Sequence, residues 1–290
     1  MSAAQSDGFH GMFEPFMFKT LKASPVTVHK SSVCPEGMEA FESRITQFKQ
    51  LLVDHKSRIA GVLIEPLIQG ASGMNIQPVE FLQEIATLCK ENSIPLILYE
   101  VFTGMARCGD YFAFQRAEIE PDIVCLAKGL TGGAIPMAVT MATEEVFENF
   151  LFPEKDKALL HGHTYTGSAI GCAAALATLN LYKKLNLVDS ARQLETRFNA
   201  WLEQAENRFG IQNRRAMGGV MAFELPSTGE ASYFNPAGET FTKLCFERGL
   251  FARPLGNTIY LVPPLTIGES ELDFALGVLS ESLAIFENSI

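Results

Sequence analysis

An α/β architecture, a mainly parallel sheet followed by a C-terminal α+β unit, is what this sequence predicts, and three observations carry it. Gly61 to Leu67 is a short apolar run, Val79 to Lys90 sets Phe81, Leu82, Ile85, Leu88 and Cys89 on one helical face, and Pro95 to Val101 is apolar again. A strand, helix, strand order calls for a parallel pair joined by a right-handed crossover. Ligand sites in such sheets gather beyond the carboxyl ends of the strands, where Tyr99, Glu100 and Lys128 all fall.

The remaining elements follow in order. Ile123 to Ala127 and Ala134 to Ala142 supply further strands, and Ser168 to Lys184 reads as an alanine-rich helix that packs closely. After Leu187 the character changes to a polar amphipathic helix from Asp189 to Phe209, then the run MGGVMAFEL and a helix near Ala237 to Glu247. Strands at Leu250 to Arg253 and Thr258 to Val262 and a final helix from Glu269 to Glu287 complete the chain. The natural boundary is near Asn186, which predicts a large unit over 1–186, a small unit over 187–290, and a site in the cleft between them. The phenylalanine-rich opening, GFHGMFEPFMF, reads as an entrance or dimer surface, although aromatic residues at that density are usually core.

Composition narrows the function classes. With 47% hydrophobic and 19% charged residues over 290 positions, the chain is too apolar for disorder, and it has no uninterrupted apolar run of membrane-spanning length. A net charge of −10 argues against a nucleic-acid surface, which needs clustered Lys and Arg to release counterions. Small molecules and protein partners are expected instead. The six cysteines form no CxxC pair and no dense framework, so neither a zinc site nor a disulfide scaffold is indicated. His161 and His163 stand two apart with no third ligand nearby, and no metal is assigned to them. The opening residues lack the basic and apolar regions of a secretory signal, which makes the cytoplasm the expected compartment.

The most informative stretch is DIVCLAKGLTGGA, Asp122 to Ala134. It places Lys128 at the mouth of a strand, directly before a turn made by Gly129, Gly132 and Gly133. Desolvation at such a place would lower an ammonium pKa and free the amine to attack a carbonyl. The alternative reading is a strand-end lysine snorkelling to solvent.

Four stretches, YEVFTGMARCGDYFAF, CLAKGLTGGAIPMAVT, LLHGHTYTGSAIGCAAALATLNL and GLFARPLGNTIYLVPPL, together resemble the class III aminotransferases. The resemblance implies fold type I and pyridoxal 5′-phosphate as cofactor, with Lys128 as the catalytic lysine that carries it. It implies that His163 and Thr164 reach the cofactor phosphate of a neighbouring subunit, that Gly162 and Arg253 contact substrate, and that Arg107 lies near the entrance. The residue-level alternatives are a helix N-cap for Thr164 and a surface arginine for Arg253. Glu65, Pro66, Gln69 and Gly70 resemble a strand end that walls the cofactor pocket, without a catalytic role.

Two departures accompany the resemblance. Tyr99 stands among the cofactor-binding positions where the family carries an aspartate, and a phenol is a poor counter-ion for a pyridinium. The family also has a long opening segment for which this sequence shows no counterpart. The expected partners are therefore small-molecule substrates together with either a second copy of the chain or a separate N-terminal fragment.

Overall fold

The structure, a computed structural model, describes residues 2–3, 11–30, 34–226 and 235–287. Gly8 to His10 of the phenylalanine-rich opening lie outside the described residues. The part that is described is not core: Met12, Phe16 and Phe18 are 80%, 87% and 74% exposed.

The first helix, α1 (Phe41–His55), buries Ile45, Phe48 and Leu52 along one stripe. Strand β1 (Val62–Ile64) follows, then a small antiparallel hairpin of β2 (Ile68–Gln69) and β3 (Asn75–Ile76). Helix α2 (Val79–Glu91) buries Phe81, Leu82, Ile85, Leu88 and Cys89, the five residues that the sequence pattern places on one face. Strand β4 (Leu96–Tyr99), the single turn α3 (Ala113–Arg116), β5 (Ile123–Leu126) and β6 (Val139–Ala142) complete the first sheet, in the order β1-β4-β5-β6.

The pairs β1–β4 and β4–β5 are parallel, as the crossover requires, whereas β6 runs antiparallel to β5 at the edge. Strand β6 is shorter than the expected Ala134–Ala142, because Pro136 has no N–H to give a ladder and the glycine turn precedes it. A short helix α4 (Glu144–Glu148) is N-capped by the Thr143 hydroxyl, and α5 (Ala169–Lys184) by that of Ser168.

Beyond Asn186, helix α6 (Leu187–Phe209) packs on a second sheet made from β7 (Gln212–Met217), β8 (Val220–Glu224), β9 (Pro254–Leu255) and β10 (Thr258–Leu261), ordered β7-β8-β10-β9. Helices α7 (Ala237–Phe246) and α8 (Glu269–Glu287) cover it. The strand expected at Leu250–Arg253 forms only from Pro254 onward, where β10 offers pairing partners.

The two sheets are joined tightly. Met105, Ala106, Leu130 and Tyr182 share one core with Leu194, Phe198, Phe223 and Leu279, while Met217, Val220 and Ala222 enter the core beneath the first sheet. Polar bolts reinforce the seam. Arg116 donates to both carboxylate oxygens of Glu195 at 2.9 and 3.0 Å, and the same carboxylate accepts from Gly218 N at 2.6 Å. Arg107 donates to the carbonyls of Gly219 at 3.1 Å and Pro263 at 2.8 Å, and buried Arg215 donates to those of Gly73 and Met74.

Gly218 is the tightest point of this seam. Its φ is +53°, and a Cβ there would stand 2.3 Å from the Arg107 carbonyl oxygen, a backbone atom that cannot step aside. Gly218→Ala should destabilise the protein by about 3 kcal/mol or more in urea unfolding. A change under about 1 kcal/mol would show that the seam is looser than this geometry requires.

Candidate functional site

The parallel register brings the candidate residues to one level. Ile64 pairs with Leu98, and Glu65 and Tyr99 come next on their strands, while Tyr99 itself pairs with Cys125. Successive side chains alternate between faces. Leu96 and Leu98 are buried in the core that α2 shares, so Ile97 and Tyr99 turn to the opposite face, joined there by Leu63 and Cys125. This second face is open: Leu63 is 45% and Tyr99 43% exposed.

Lys128 stands just beyond β5, at the start of a 3-10 turn that runs to Thr131. Its φ of +45° puts a lysine in the left-handed region, a strain of about 1–3 kcal/mol that the surrounding packing has to hold. Part of that hold is visible at Gly129, where a Cβ would meet Met105 Cβ at 2.9 Å, so the turn lies flat on the 100–109 loop. The Lys128 ammonium lies 5.1 Å from the centroid of the Phe102 ring, a cation–π contact. Among the described residues it makes no hydrogen bond and no ion pair. Lys128 is exposed, so the burial expected at this lysine is not made by the described residues of one copy.

Glu65 is the charged neighbour. It accepts a hydrogen bond from Gly70 N at 3.2 Å, and it lies within electrostatic reach of both Lys128 and Tyr99. Burial pushes its carboxyl up to about 7, against the pull of the Gly70 N–H and of Lys128. Tyr99 is shifted up too, first by desolvation and then by Glu65 and Cys125, so its phenol is neutral at physiological pH. Glu100 has a different task. Its buried carboxylate accepts from Ala113 N at 2.7 Å and Phe114 N at 3.0 Å, which caps α3, and burial raises it to about 7.

Arg107 spends its guanidinium on the seam carbonyls described above. Gly162, His163 and Thr164 belong to a stretch, 151–167, that is exposed along its whole length; His163 Nδ1 accepts from Tyr165 N at 3.1 Å within it. Arg253 lines an open cleft of about 530 Å³ on the C-terminal unit with Lys243, Phe246 and Phe251, and no hydrogen bond or ion pair among the described residues joins it to Lys128. Among the described residues, Lys128, Glu65, Tyr99 and Phe102 come together at the strand ends. Among the described residues no cluster of three or more His, Cys, Asp or Glu could hold a metal, and no helix is long and apolar enough to cross a membrane.

Similarity to known proteins agrees with this geometry. The family model for class III aminotransferases matches residues 1–283, and the chain belongs to that family. It is 40% identical over 286 residues to the adenosylmethionine-8-amino-7-oxononanoate aminotransferase of Synechococcus elongatus, which covers 98% of this chain and 65% of the relative. For the enzyme of the same description from Geobacter sulfurreducens the figures are 34% over 296 residues, 98% and 64%. The crystal structure of the Methanocaldococcus jannaschii protein of that description superposes with a TM-score of 0.86 at 34% identity, over 98% of this chain and 64% of that one. The chain thus spans just under two thirds of the length of the curated relatives it matches. Its fold is that of the fold type I transaminases, and family membership implies pyridoxal 5′-phosphate as cofactor.

The residues fit that group in part. A primary amine beside an aromatic ring at a strand end suits the aldehyde, and the open apolar face suits a flat ring. The phosphate-side candidates His163 and Thr164 stand in the stretch 151–167, which is exposed along its whole length.

The raised carboxyl of Glu65 makes a stability prediction. Its folded pKa of about 7 lies above the ordinary 4.5, so its contribution is fully present below about pH 4.5 and is lost as pH rises through about 7. Glu65→Gln keeps an acceptor for Gly70 N but cannot ionise. Relative to the parent, the variant should gain about 2 kcal/mol in urea unfolding between about pH 5 and about pH 8. An offset that stays the same at both values would mean that the carboxyl is not held out of water.

Proposed function

We propose that this chain forms the lysine-bearing part of a pyridoxal-phosphate-dependent transaminase that converts 8-amino-7-oxononanoate to 7,8-diaminononanoate with S-adenosylmethionine as amino donor. The observation that carries the reading is Lys128, an amine held in left-handed backbone at the end of β5, against Phe102 and beside Glu65. The substrate assignment follows the relatives, whose descriptions all name that aminotransferase.

The bound cofactor supplies an aldehyde for the amine and a ring that draws electrons from the substrate carbon. The chain's own residues do the rest. Lys128 binds the group and moves the proton between carbons as base and acid. Tyr99 presents a neutral hydroxyl on the face where the ring would lie, able to donate or accept one hydrogen bond without charge. Arg253 offers a bidentate guanidinium to a substrate carboxylate, with Gly162 and Arg107 assigned to the substrate side.

His163 and Thr164 serve the cofactor phosphate of a second subunit. The exposure of 151–167 and of the sheet face around Leu63 and Tyr99 supports assembly as a homodimer or with a fragment that supplies the remaining third of the family's length. The active assembly is assigned to the cytoplasm. On this reading, 1–186 is the cofactor-binding unit and 187–290 the small unit.

A second reading, a catalytically silent assembly subunit descended from such an enzyme, is favoured by the uncharged Tyr99 and the open face. Cofactor titration separates the two. The transaminase reading expects a visible absorption band that borohydride bleaches and that Lys128→Ala abolishes; titrations with no band, alone or with the complementary fragment, support the silent subunit. Tyr99→Asp should raise turnover at least about tenfold, since an anion beside a pyridinium is worth over 1.36 kcal/mol in the transition state. Unchanged turnover would mean that another group already supplies the charge. Activity with 4-aminobutyrate or ornithine but none with S-adenosylmethionine would move the substrate assignment elsewhere in the class.

A further inference from the structure

Lys128 is one of the non-glycine residues held in left-handed backbone, and two others lie in the loop on which its turn packs. Met105 has a φ of +57° and Ala106 one of +61°, both buried, against +45° at Lys128. Strain of this kind persists only where the surrounding packing over-determines it. That packing can be followed residue by residue. Phe102 sets its ring centroid 5.1 Å from Lys128 Nζ. A Cβ at Gly104 would stand 3.1 Å from Leu126 Cδ2, so the loop lies against the last residue of β5. A Cβ at Gly129 would meet Met105 Cβ at 2.9 Å and Cγ at 3.4 Å. The stretch 102–105 thus touches the amine, the strand end and the turn in succession.

The loop is itself anchored. Gly104 N donates to Glu100 O at 3.1 Å and Ala106 N to Tyr111 O at 3.1 Å, while Gly219 N donates to Arg107 O at 2.9 Å and the Arg107 guanidinium reaches the carbonyls of Gly219 and Pro263. The lysine turn is closed by Leu130 N to Ala127 O at 3.0 Å and by the Thr131 hydroxyl to Ile135 O at 2.6 Å.

We propose that Met105 is a positioning residue for Lys128: it fills the space against Gly129, fixes the turn 128–131 on the loop, and thereby holds the lysine amine at the Phe102 ring. The physical basis is steric. A close-packed interior transmits displacement, and Met105 and the Gly129 backbone leave no room for a methyl group between them. Glycine at 129 and a side chain at 105 are complementary halves of one contact. Because Arg107, two residues on, is bound to the C-terminal unit, that unit has a hold on where the amine stands. The functional sense rests on the transaminase reading, in which Lys128 meets a cofactor aldehyde and a misplacement of about 1 Å can cost about a hundredfold in rate.

The test reads the amine directly and needs no cofactor. Lysines of the full chain are dimethylated with isotope-labelled formaldehyde and cyanoborohydride, and their methyl resonances are followed by NMR. A methyl group beside an aromatic ring feels its ring current, so the Lys128 signal, assigned by its loss in Lys128→Arg, should stand apart from those of the other lysines. Phe102→Leu should abolish that offset. Gly129→Ala should lose it too, and adding Met105→Gly, a residue at ease with a φ of +57°, should restore it. Met105→Ala should shrink the offset, whereas Leu52→Ala in α1, a destabilising truncation in the other core, should leave it unchanged.

A parent signal with no offset overturns the proposal. So does an offset that survives Gly129→Ala, or one that Met105→Gly fails to restore in a chain whose circular dichroism matches the parent. If Gly129→Ala or the double variant does not fold, the two truncations decide: no loss in Met105→Ala, or the same loss in Leu52→Ala, removes the role of Met105. Should the offsets behave as stated while no cofactor is taken up, the transaminase reading fails and the positioning of Lys128 stands; cofactor uptake with offsets indifferent to Met105 keeps that reading and overturns this one.

Discussion

The parallel pairing of β1, β4 and β5 is the constraint on which the rest depends. Strands laid side by side in one direction end together, so residues far apart in sequence arrive at one edge: Glu65 and Tyr99 come level on one face, and Lys128 follows just beyond β5. Slipping any strand by one residue would turn its members to the α2 side and scatter the cluster. What holds the register is apolar: Leu96 and Leu98 are buried in the core to which α2 contributes Phe81, Leu82 and Ile85, and a slip would expose them.

The second sheet meets the first through the seam. Glu195 serves Arg116 and Gly218 at once, Arg107 reaches across to two carbonyls, and Arg215 clamps the loop that ends in β3. That loop begins at Gly70, whose N–H holds Glu65. A buried arginine of the second sheet thereby steadies the carboxylate of the first, and Gly218 permits the close approach that makes the seam possible. Arg107, read from the resemblance as lying near an entrance, donates its guanidinium to the carbonyls of Gly219 and Pro263.

Much of this was legible in the residues. The face of α2 could be read because five apolar side chains repeat at helical spacing, and the site level could be read because a strand, helix, strand unit leaves its ligand edge no other place. Lys128 stood out through the glycine turn behind it. Other features depended on tertiary partners. The antiparallel course of β6 follows from Pro136 and the turn, which periodicity does not report. Pro254 and Leu255 are paired only because β10 lies beside them. Helix α1 has a readable signal of its own, Ile45, Phe48 and Leu52 on one stripe, outside the strand, helix, strand pattern. Glu65 looked like wall because its proline neighbour and glycine turn mark a strand end; its electrostatic part appears only once Lys128 is placed in three dimensions. The exposure of Lys128 and of the opening phenylalanines likewise depends on what packs over them, which local sequence does not encode.

The most direct test of the central claim, that the strand ends gather a cofactor site on Lys128, is a crystal structure of the protein reduced with borohydride in the presence of pyridoxal phosphate and the complementary family segment. The account predicts density continuous from Lys128 Nζ into the cofactor ring, which lies over the face that bears Tyr99 with Glu65 beside it. Density on a different lysine, or a ring placed off that face, would contradict it.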